Sequence, residues 1–179
     1  MSVTEQLGGP AARGPLPGTG GPGAGLRERA AHYALLPLRL FLGFTFLYAG
    51  IDKYTTWGPF SPMDRTTMES MLEFAEEQAA APWLADLALE NPGLFLNATS
   101  VAEIAVGAGV LLGALTRLAA LGGVLLSLSF WLVISWNTEP YYFGADLPFL
   151  AGFLTLLLAG GGALSVDAAL AHRNRPVFA

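Results

Sequence analysis

Two charged residues lie inside stretches of the sequence that are otherwise apolar. Arg39 belongs to "YALLPLRLFLGFTFLYAGI", and Glu103 belongs to "LFLNATSVAEIAVGAGVLLGAL". A charge inside an apolar helix is costly, so it normally faces the protein interior and finds a partner there. A buried carboxyl group can accept or relay a proton, and a buried cation can polarise a carbonyl or steady an anion. Both residues are therefore candidate catalytic residues.

Lys53 is the third candidate, because it follows Asp52 where the first apolar stretch ends. The rise of a helix places Arg39 about 18 Å below Ile51, and Glu103 roughly 10 Å below the outer end of its own stretch. If the two helices are antiparallel neighbours, Arg39 and Glu103 differ in depth by about 8 Å, and Lys53 and Glu103 by about 13 Å. We therefore expect Glu103 to pair with Arg39, with Lys53 as the alternative partner.

Each of these residues also has a purely structural interpretation. Glu103 can hold the helices together through an ion pair or a hydrogen bond. Arg39 can extend its side chain toward the nearer membrane surface, and Lys53 can anchor the chain at the membrane boundary.

A further group of polar and aromatic residues occurs in the segment "SWNTEPYYFGADLPF". Aromatic rings, carboxylates and an amide at a membrane face could bind a flat headgroup such as a quinone. The same residues could equally form an aromatic belt with turn residues. The candidate cofactor-binding residues are Trp136, Asn137, Glu139, Tyr142 and Asp146.

The elements that must position these residues are predicted to be membrane helices. Of the 179 residues, 53% are hydrophobic and only 13% are charged, whereas a soluble domain carries about twice that share of charge. Four apolar stretches each approach the roughly 20 residues that cross a bilayer as a helix. They cover approximately Tyr33–Ile51, Leu94–Leu115, Leu118–Trp136 and Asp146–Leu164. The predicted fold class is an all-α membrane protein, a bundle of four transmembrane helices.

The connecting segments predict the orientation in the membrane. Arginines lie before the first span, between the second and third, and after the fourth, whereas residues 52–93 are rich in Asp and Glu. The positive-inside rule therefore places both termini in the cytoplasm and residues 52–93 outside, as a loop with one or two short helices. A solvated acidic loop is the alternative for that segment.

The predicted domain organisation has three parts. Residues 1–30 are a disordered Gly/Pro-rich cytoplasmic tail, residues 31–170 form the membrane domain, and residues 171–179 are a short basic cytoplasmic tail. Such a Gly/Pro-rich composition buries too little apolar surface to fold.

Several function classes are disfavoured by the composition. The chain has no cysteine and only two histidines, and no set of residues suggests a metal or haem ligand group. The net charge of −5 argues against a nucleic-acid partner.

Three segments resemble the DoxX/DoxD family of membrane proteins: "LRLFLGFTFLYAGIDKY", "VAEIAVGAGVLLGALTRLAAL" and "WNTEPYYFGADLPFLAGFLTLLLAGGGALSVD". The resemblance implies a four-helix membrane bundle in a bacterial-type cell membrane. The DoxD branch is the membrane subunit of thiosulfate:quinone oxidoreductase, so it also implies electron transfer from a sulfur compound such as thiosulfate to membrane quinone, usually with a second subunit. The Gly/Pro-rich tail departs from the family pattern, and the lack of cysteine disfavours thiol chemistry within the chain.

Two other functions are compatible with the sequence. DoxX relatives are thought to tether soluble oxidoreductases at the membrane, so the chain could be a non-catalytic scaffold that docks soluble redox partners. A small transporter is a third interpretation, since intramembrane charges allow it, although the sequence lacks repeat signals. Assembly as a homo-oligomer is left open.

Overall fold

The computed structural model describes residue 30 and residues 33–54 and 65–173, and these residues form helices and turns without a β-strand. The predicted tails lie outside the described residues, apart from residue 30 and the backbone of 171–173, and so do residues 55–64 of the predicted loop. The helices are α1 (Leu36–Asp52), α2 (Arg65–Glu76), α3 (Pro82–Glu90), α4 (Pro92–Leu112), α5 (Thr116–Phe130), α6 (Asp146–Ala159) and α7 (Val166–Arg173). A π-helical turn, Trp131–Ser135, continues α5, and a 3-10 turn spans Tyr141–Phe143.

Helices occur in all four apolar stretches, but they differ in length. Within the described residues, two are long and apolar enough to cross a membrane: Pro92–Leu112 and Thr116–Ser135. Helix α1 has 17 residues and α6 has 14, which corresponds to about 25 Å and about 21 Å. The predicted continuation of the last helix to Leu164 is wrong, because the helix ends at Ala159 and the chain then turns through Gly160 (φ 82°) and Gly162 (φ 63°).

Small residues allow α1 and α4 to pack with their backbones in close contact. A Cβ atom on Gly107 would lie 2.4 Å from the backbone nitrogen of Leu47, and one on Gly50 would lie 2.7 Å from the carbonyl oxygen of Ser100. Helix α5 packs in turn against α4 and α6. Buried apolar side chains fill the space between these four helices, including Leu42, Phe46, Val110, Phe153 and Leu156.

The α2–α3 hairpin (residues 65–90) packs on one end of these helices, which we call the Lys53 end; the opposite end is the Arg39 end. Its buried residues form a second apolar cluster with Val133 of the π-helical turn. The backbone nitrogen of Ala80 donates to the carbonyl oxygen of Leu132 at 2.9 Å, and Asn137 Nδ2 donates to the carbonyl oxygen of Gln78 at 2.9 Å. These two hydrogen bonds hold the connection between α2 and α3 against the residues in and next to the π-helical turn.

Asp167 caps the start of α5 at the Arg39 end. Its carboxylate accepts hydrogen bonds from the backbone nitrogens of Leu115 and Thr116, both at 2.8 Å, and from the Thr116 hydroxyl at 2.7 Å. Partial burial raises the pKa of the Asp167 carboxyl, but the hydrogen bonds from Thr116 and Leu115 and the attraction of Arg39 outweigh that effect, so the net pKa is below its usual range. The ionised form of Asp167 therefore stabilises the fold.

We expect Asp167→Ala to lower the free energy of unfolding by about 1–2 kcal/mol, the usual effect of losing a helix cap. Because the pKa is lower in the folded state, the stabilisation is present above the unfolded value of about 3.9 and is lost as the pH falls through the folded value. Unfolding in mixed detergent micelles at neutral and acidic pH measures both effects. Asp86→Ala, on the exposed side of α3, is the control for the loss of a carboxylate. An Asp167→Asn variant that is as acid-sensitive as the wild type would contradict this assignment.

Candidate functional site

Lys53 and Glu103 form an ion pair at the Lys53 end. The ammonium group of Lys53 contacts Glu103 Oε2 and also donates to the carbonyl oxygen of Ala49 at 3.3 Å. The Lys53 side chain is only 11% exposed and that of Glu103 only 4%, so water screens the pair weakly. The expected Arg39–Glu103 pair is therefore wrong, and the alternative partner, Lys53, is the one that the structure contains.

The register of α1 on α4 explains this difference. Gly50 lies against Ser100 and Ile104, and Gly43 lies against Leu111. By these contacts Lys53 stands about 5 Å above the level of Glu103, and Arg39 about 16 Å below it. Helix α4 begins well beyond the level at which α1 ends. The estimate from the sequence measured depth from the end of each helix as if the two ends were level, and it therefore placed Glu103 too close to Arg39.

Arg39 has a separate set of partners at the opposite end. Its guanidinium group donates to the carbonyl oxygens of Val110 (3.1 Å), Leu111 (3.1 Å), Gly161 (2.8 Å) and Ala163 (3.0 Å). The residue is 1% exposed, so it does not extend to the membrane surface either. The last carbonyls of a helix have no partner within that helix, and Arg39 supplies one for the end of α4 and for the turn after α6.

An apolar cavity of about 330 Å³ lies beside the Lys53–Glu103 pair. Its walls come from the end of α1, the α2–α3 hairpin, the first half of α4, the end of α5 with its π-helical turn, and the start of α6. The lining residues are Lys53, Met68, Met71, Leu72, Leu84, Phe95, Thr99, Glu103, Ser129, Phe130, Val133, Ile134 and Asp146. Asp146 contributes a second carboxylate, which accepts a hydrogen bond from the Ser135 hydroxyl.

The structure brings together three of the predicted site residues and separates the others. Lys53, Glu103 and Asp146 all line the cavity. Trp136 packs on Trp131 with ring centroids 4.9 Å apart, and Asn137 holds the α2–α3 connection. Tyr142 is 65% exposed, and Glu139 is also exposed. In the described part of the chain, the cavity lining does not include Arg39, Trp136, Asn137, Glu139 or Tyr142.

Sequence reasoning did not identify the cavity or its aromatic and π-helical lining. Met68, Met71 and Leu72 recur at near-helical spacing, and this spacing predicts a short helix whose apolar face packs over the outer end of the bundle. The π-helical turn that directs Val133 and Ile134 into the wall has no signal in the sequence. Turns of this type are frequent at functional sites.

The arrangement suits an amphipathic ligand. Apolar walls with a few convergent polar groups are typical of small-molecule sites. Here one ammonium and two carboxyl groups are available to a polar head, while Phe95, Phe130 and the hairpin surround an apolar body. Among the described residues, no group of three or more His, Asp or Glu side chains could hold a metal ion.

These features define a class: a helical membrane protein with a charge-bearing apolar cavity. The family model called DoxX matches residues 34–136 of the 179-residue chain, and the chain therefore belongs to the DoxX family. The match includes Arg39, Lys53 and Glu103 and ends before Asp146. No solved structure matches this chain.

Proposed function

We propose that this protein is the quinone-binding membrane subunit of an oxidoreductase that passes electrons from a sulfur compound such as thiosulfate to membrane quinone. One observation carries the proposal: the Lys53–Glu103 ion pair forms part of the wall of an apolar cavity that has room for a ring-sized headgroup. An ion pair that only held helices together would not need to face a cavity.

The cavity fits a quinone by size and by chemistry. Its volume of about 330 Å³ is at the lower end of the usual range for ligand pockets, about 300–1,000 Å³. The aromatic side chains of Phe95 and Phe130 can lie against a planar ring. A quinone also has two carbonyl oxygens, which need donors, and Lys53 is a donor in the wall.

The residues of the chain have distinct roles in this proposal. A bound quinone would accept two electrons and two protons. Lys53 holds a carbonyl oxygen through its ammonium group and stabilises negative charge there. Glu103 takes up a proton at its carboxyl group, donates it to the reduced headgroup and re-forms the ion pair as a carboxylate. Asp146, hydrogen-bonded to Ser135, is a second carboxyl group available in the cavity wall.

We assign Arg39 a structural role. Four carbonyl oxygens surround its guanidinium group, and they leave it no free direction toward a ligand. It lies at the end of the helices opposite to the cavity. Trp136 and Tyr142 are better suited to a membrane boundary, because amphipathic rings prefer that region.

The membrane arrangement is also part of the proposal. We propose that α1, α4, α5 and α6 all cross the bilayer, with both termini in the cytoplasm and the α2–α3 hairpin outside. The Arg39 end carries Arg117 in the first turn of α5, whereas the hairpin carries exposed carboxylates such as Glu73, Glu76 and Asp86. That charge distribution supports the orientation under the positive-inside rule.

A second candidate function is a membrane scaffold that docks a soluble redox protein. The exposed face of the hairpin favours it, because carboxylates lie there next to large apolar side chains, Phe74 (71% exposed) and Trp83 (64% exposed). The two functions are compatible if the docked partner is the subunit that oxidises the sulfur compound. A small transporter has no such support from the described residues.

The test is quinone binding and quinone reduction by the protein in lipid nanodiscs, alone and together with its co-purified partners, with thiosulfate as donor. We expect Glu103→Gln to remain folded and to lose reduction, while Glu90→Gln, an exposed carboxylate on α3, behaves as the wild type. Failure of the wild type to bind quinone at all would refute the proposal. Partner capture that depends on the hairpin and survives Glu103→Gln, with no quinone binding, would favour the scaffold.

A further inference from the structure

Helices α4 and α5 touch closely near the Arg39 end and separate toward the Lys53 end. A Cβ atom on Gly109 would lie 2.8 Å from Ala119 Cβ, and one on Gly122 would lie 2.9 Å from Val106 Cγ2. Farther along the same two faces, Phe95 of α4 and Phe130 of α5 line the cavity instead. The cavity is thus the wedge between two diverging helices, and the α2–α3 hairpin closes its wide end.

One side of this wedge reaches the outer surface of the helices. Ile134 lines the cavity and is nevertheless 42% exposed, and Ser129 is half-buried. Leu125, one turn before Ser129, is 57% exposed, and Leu121 before it is 42% exposed. The rim of the cavity therefore continues an apolar stripe of the kind that faces lipid.

The rim itself presents no unpaired polar group to lipid. The Ser129 hydroxyl donates to the carbonyl oxygen of Leu125 at 2.7 Å, so it can border hydrocarbon at little cost. Charged groups enter from the other side of the cavity. Lys53 directly follows α1 and Asp146 begins α6, and these two helices pack on the far side of the α4–α5 pair. The cavity is therefore polar on its inner side and apolar at its rim.

We propose that the cavity opens sideways into the bilayer between α4 and α5, and that it takes ligands whose hydrocarbon tail leaves past Ser129 and Ile134. The polar head then lies at the Lys53–Glu103 pair, and the tail stays in lipid. This inference rests on the proposed quinone site and adds to it the ligand class, a headgroup with a long apolar tail, and the route of access. A tail that stays in lipid in both the free and the bound ligand is never exposed to water, so the ligand can enter the cavity without that cost.

The absence of cysteine from the chain allows a reversible test. Ser129→Cys is modified in nanodiscs with a bulky aromatic methanethiosulfonate reagent, and a reductant, removed before measurement, later releases the group. Affinity is measured for decylubiquinone, which has a tail, and for duroquinone, which has none. Leu125→Cys, treated identically, is the matched control one turn away on the same stripe, and Ile134→Cys is the second variant if the first does not fold.

We expect modification at residue 129 to weaken decylubiquinone binding by about tenfold or more. A blocked exit forces the tail of the bound ligand away from lipid, and exposing roughly two methylene groups to water is enough for that loss. Duroquinone binding should change little, release of the group should restore affinity, and the modified Leu125→Cys protein should bind both quinones normally. Unchanged affinity for both quinones, or an equal loss for both, would overturn the sideways opening while the headgroup site stands. If the unmodified protein binds neither quinone, the proposed function itself fails.

Discussion

Replacing Arg39 with Met is expected to lower the free energy of unfolding by about 5 kcal/mol, at the upper end of what single substitutions cause. The buried guanidinium group donates to four carbonyl oxygens that belong to the end of α4 and to the turn after α6. Methionine keeps the length of the side chain and none of its donors. Carbonyl groups in a buried site would then lose their partners, and each such loss costs free energy.

Unfolding by sodium dodecyl sulfate in mixed micelles, followed by circular dichroism, measures this effect. Arg117→Met is the matched control, because Arg117 is also near the Arg39 end but has an exposed side chain with one long hydrogen bond, at 3.4 Å, to Leu158. Lysine at position 39 should recover only part of the stability, since an ammonium group lacks the planar fork of donors that reaches four acceptors. Equal stabilities for Arg39→Met and Arg117→Met would contradict the structural role of Arg39.

Breaking the Lys53–Glu103 pair from either side is expected to cost about 3–5 kcal/mol, whereas removing both charges costs far less. Each single change leaves one charge without its partner in a site where the side chains are 11% and 4% exposed. Lys53→Met and Glu103→Leu keep side chains of similar size, and the double variant has no charge to satisfy. A coupling free energy of at least about 1 kcal/mol should therefore separate the double variant from the sum of the singles.

The same micelle unfolding experiment, applied to the two single variants and the double variant, gives this coupling. Additive effects would mean that the two groups do not interact in the folded protein. The cycle also separates stability from chemistry: a double variant as stable as the wild type but unable to bind quinone would show that the pair serves the cavity rather than the fold.

Helix positions were largely predictable from the sequence, because they depend on local composition. An apolar stretch of roughly 20 residues in a membrane satisfies its backbone hydrogen bonds by forming a helix. Helix α4 and the α5 segment accordingly lie within a few residues of their predicted bounds. The exception, α6, ends early because two glycines with positive φ turn the chain so that Gly161 and Ala163 direct their carbonyls to Arg39. That ending depends on a residue more than 120 positions away along the chain.

The candidate site was only partly predictable. Lys53, Glu103 and Asp146 were recognisable as charged residues in or beside apolar stretches, and all three line the cavity. Their partners were not recognisable, since an offset of a few residues between α1 and α4 decides which cation reaches Glu103. The aromatic residues between 136 and 142 were predicted to bind a cofactor from their residue type alone. In the structure they pack away from the cavity.

The sequence by itself determined that this chain is a helical membrane protein of the DoxX type with buried charges at Arg39 and Glu103. Only the tertiary structure decided what those charges do. Close backbone contacts at Gly50 and Gly107 set the register of α1 on α4. That register pairs Glu103 with Lys53 and places Arg39 among carbonyl oxygens at the other end. The physical reason is that helix formation follows from local hydrogen bonding and composition, whereas the partner of a buried charge depends on how far one helix slides along another.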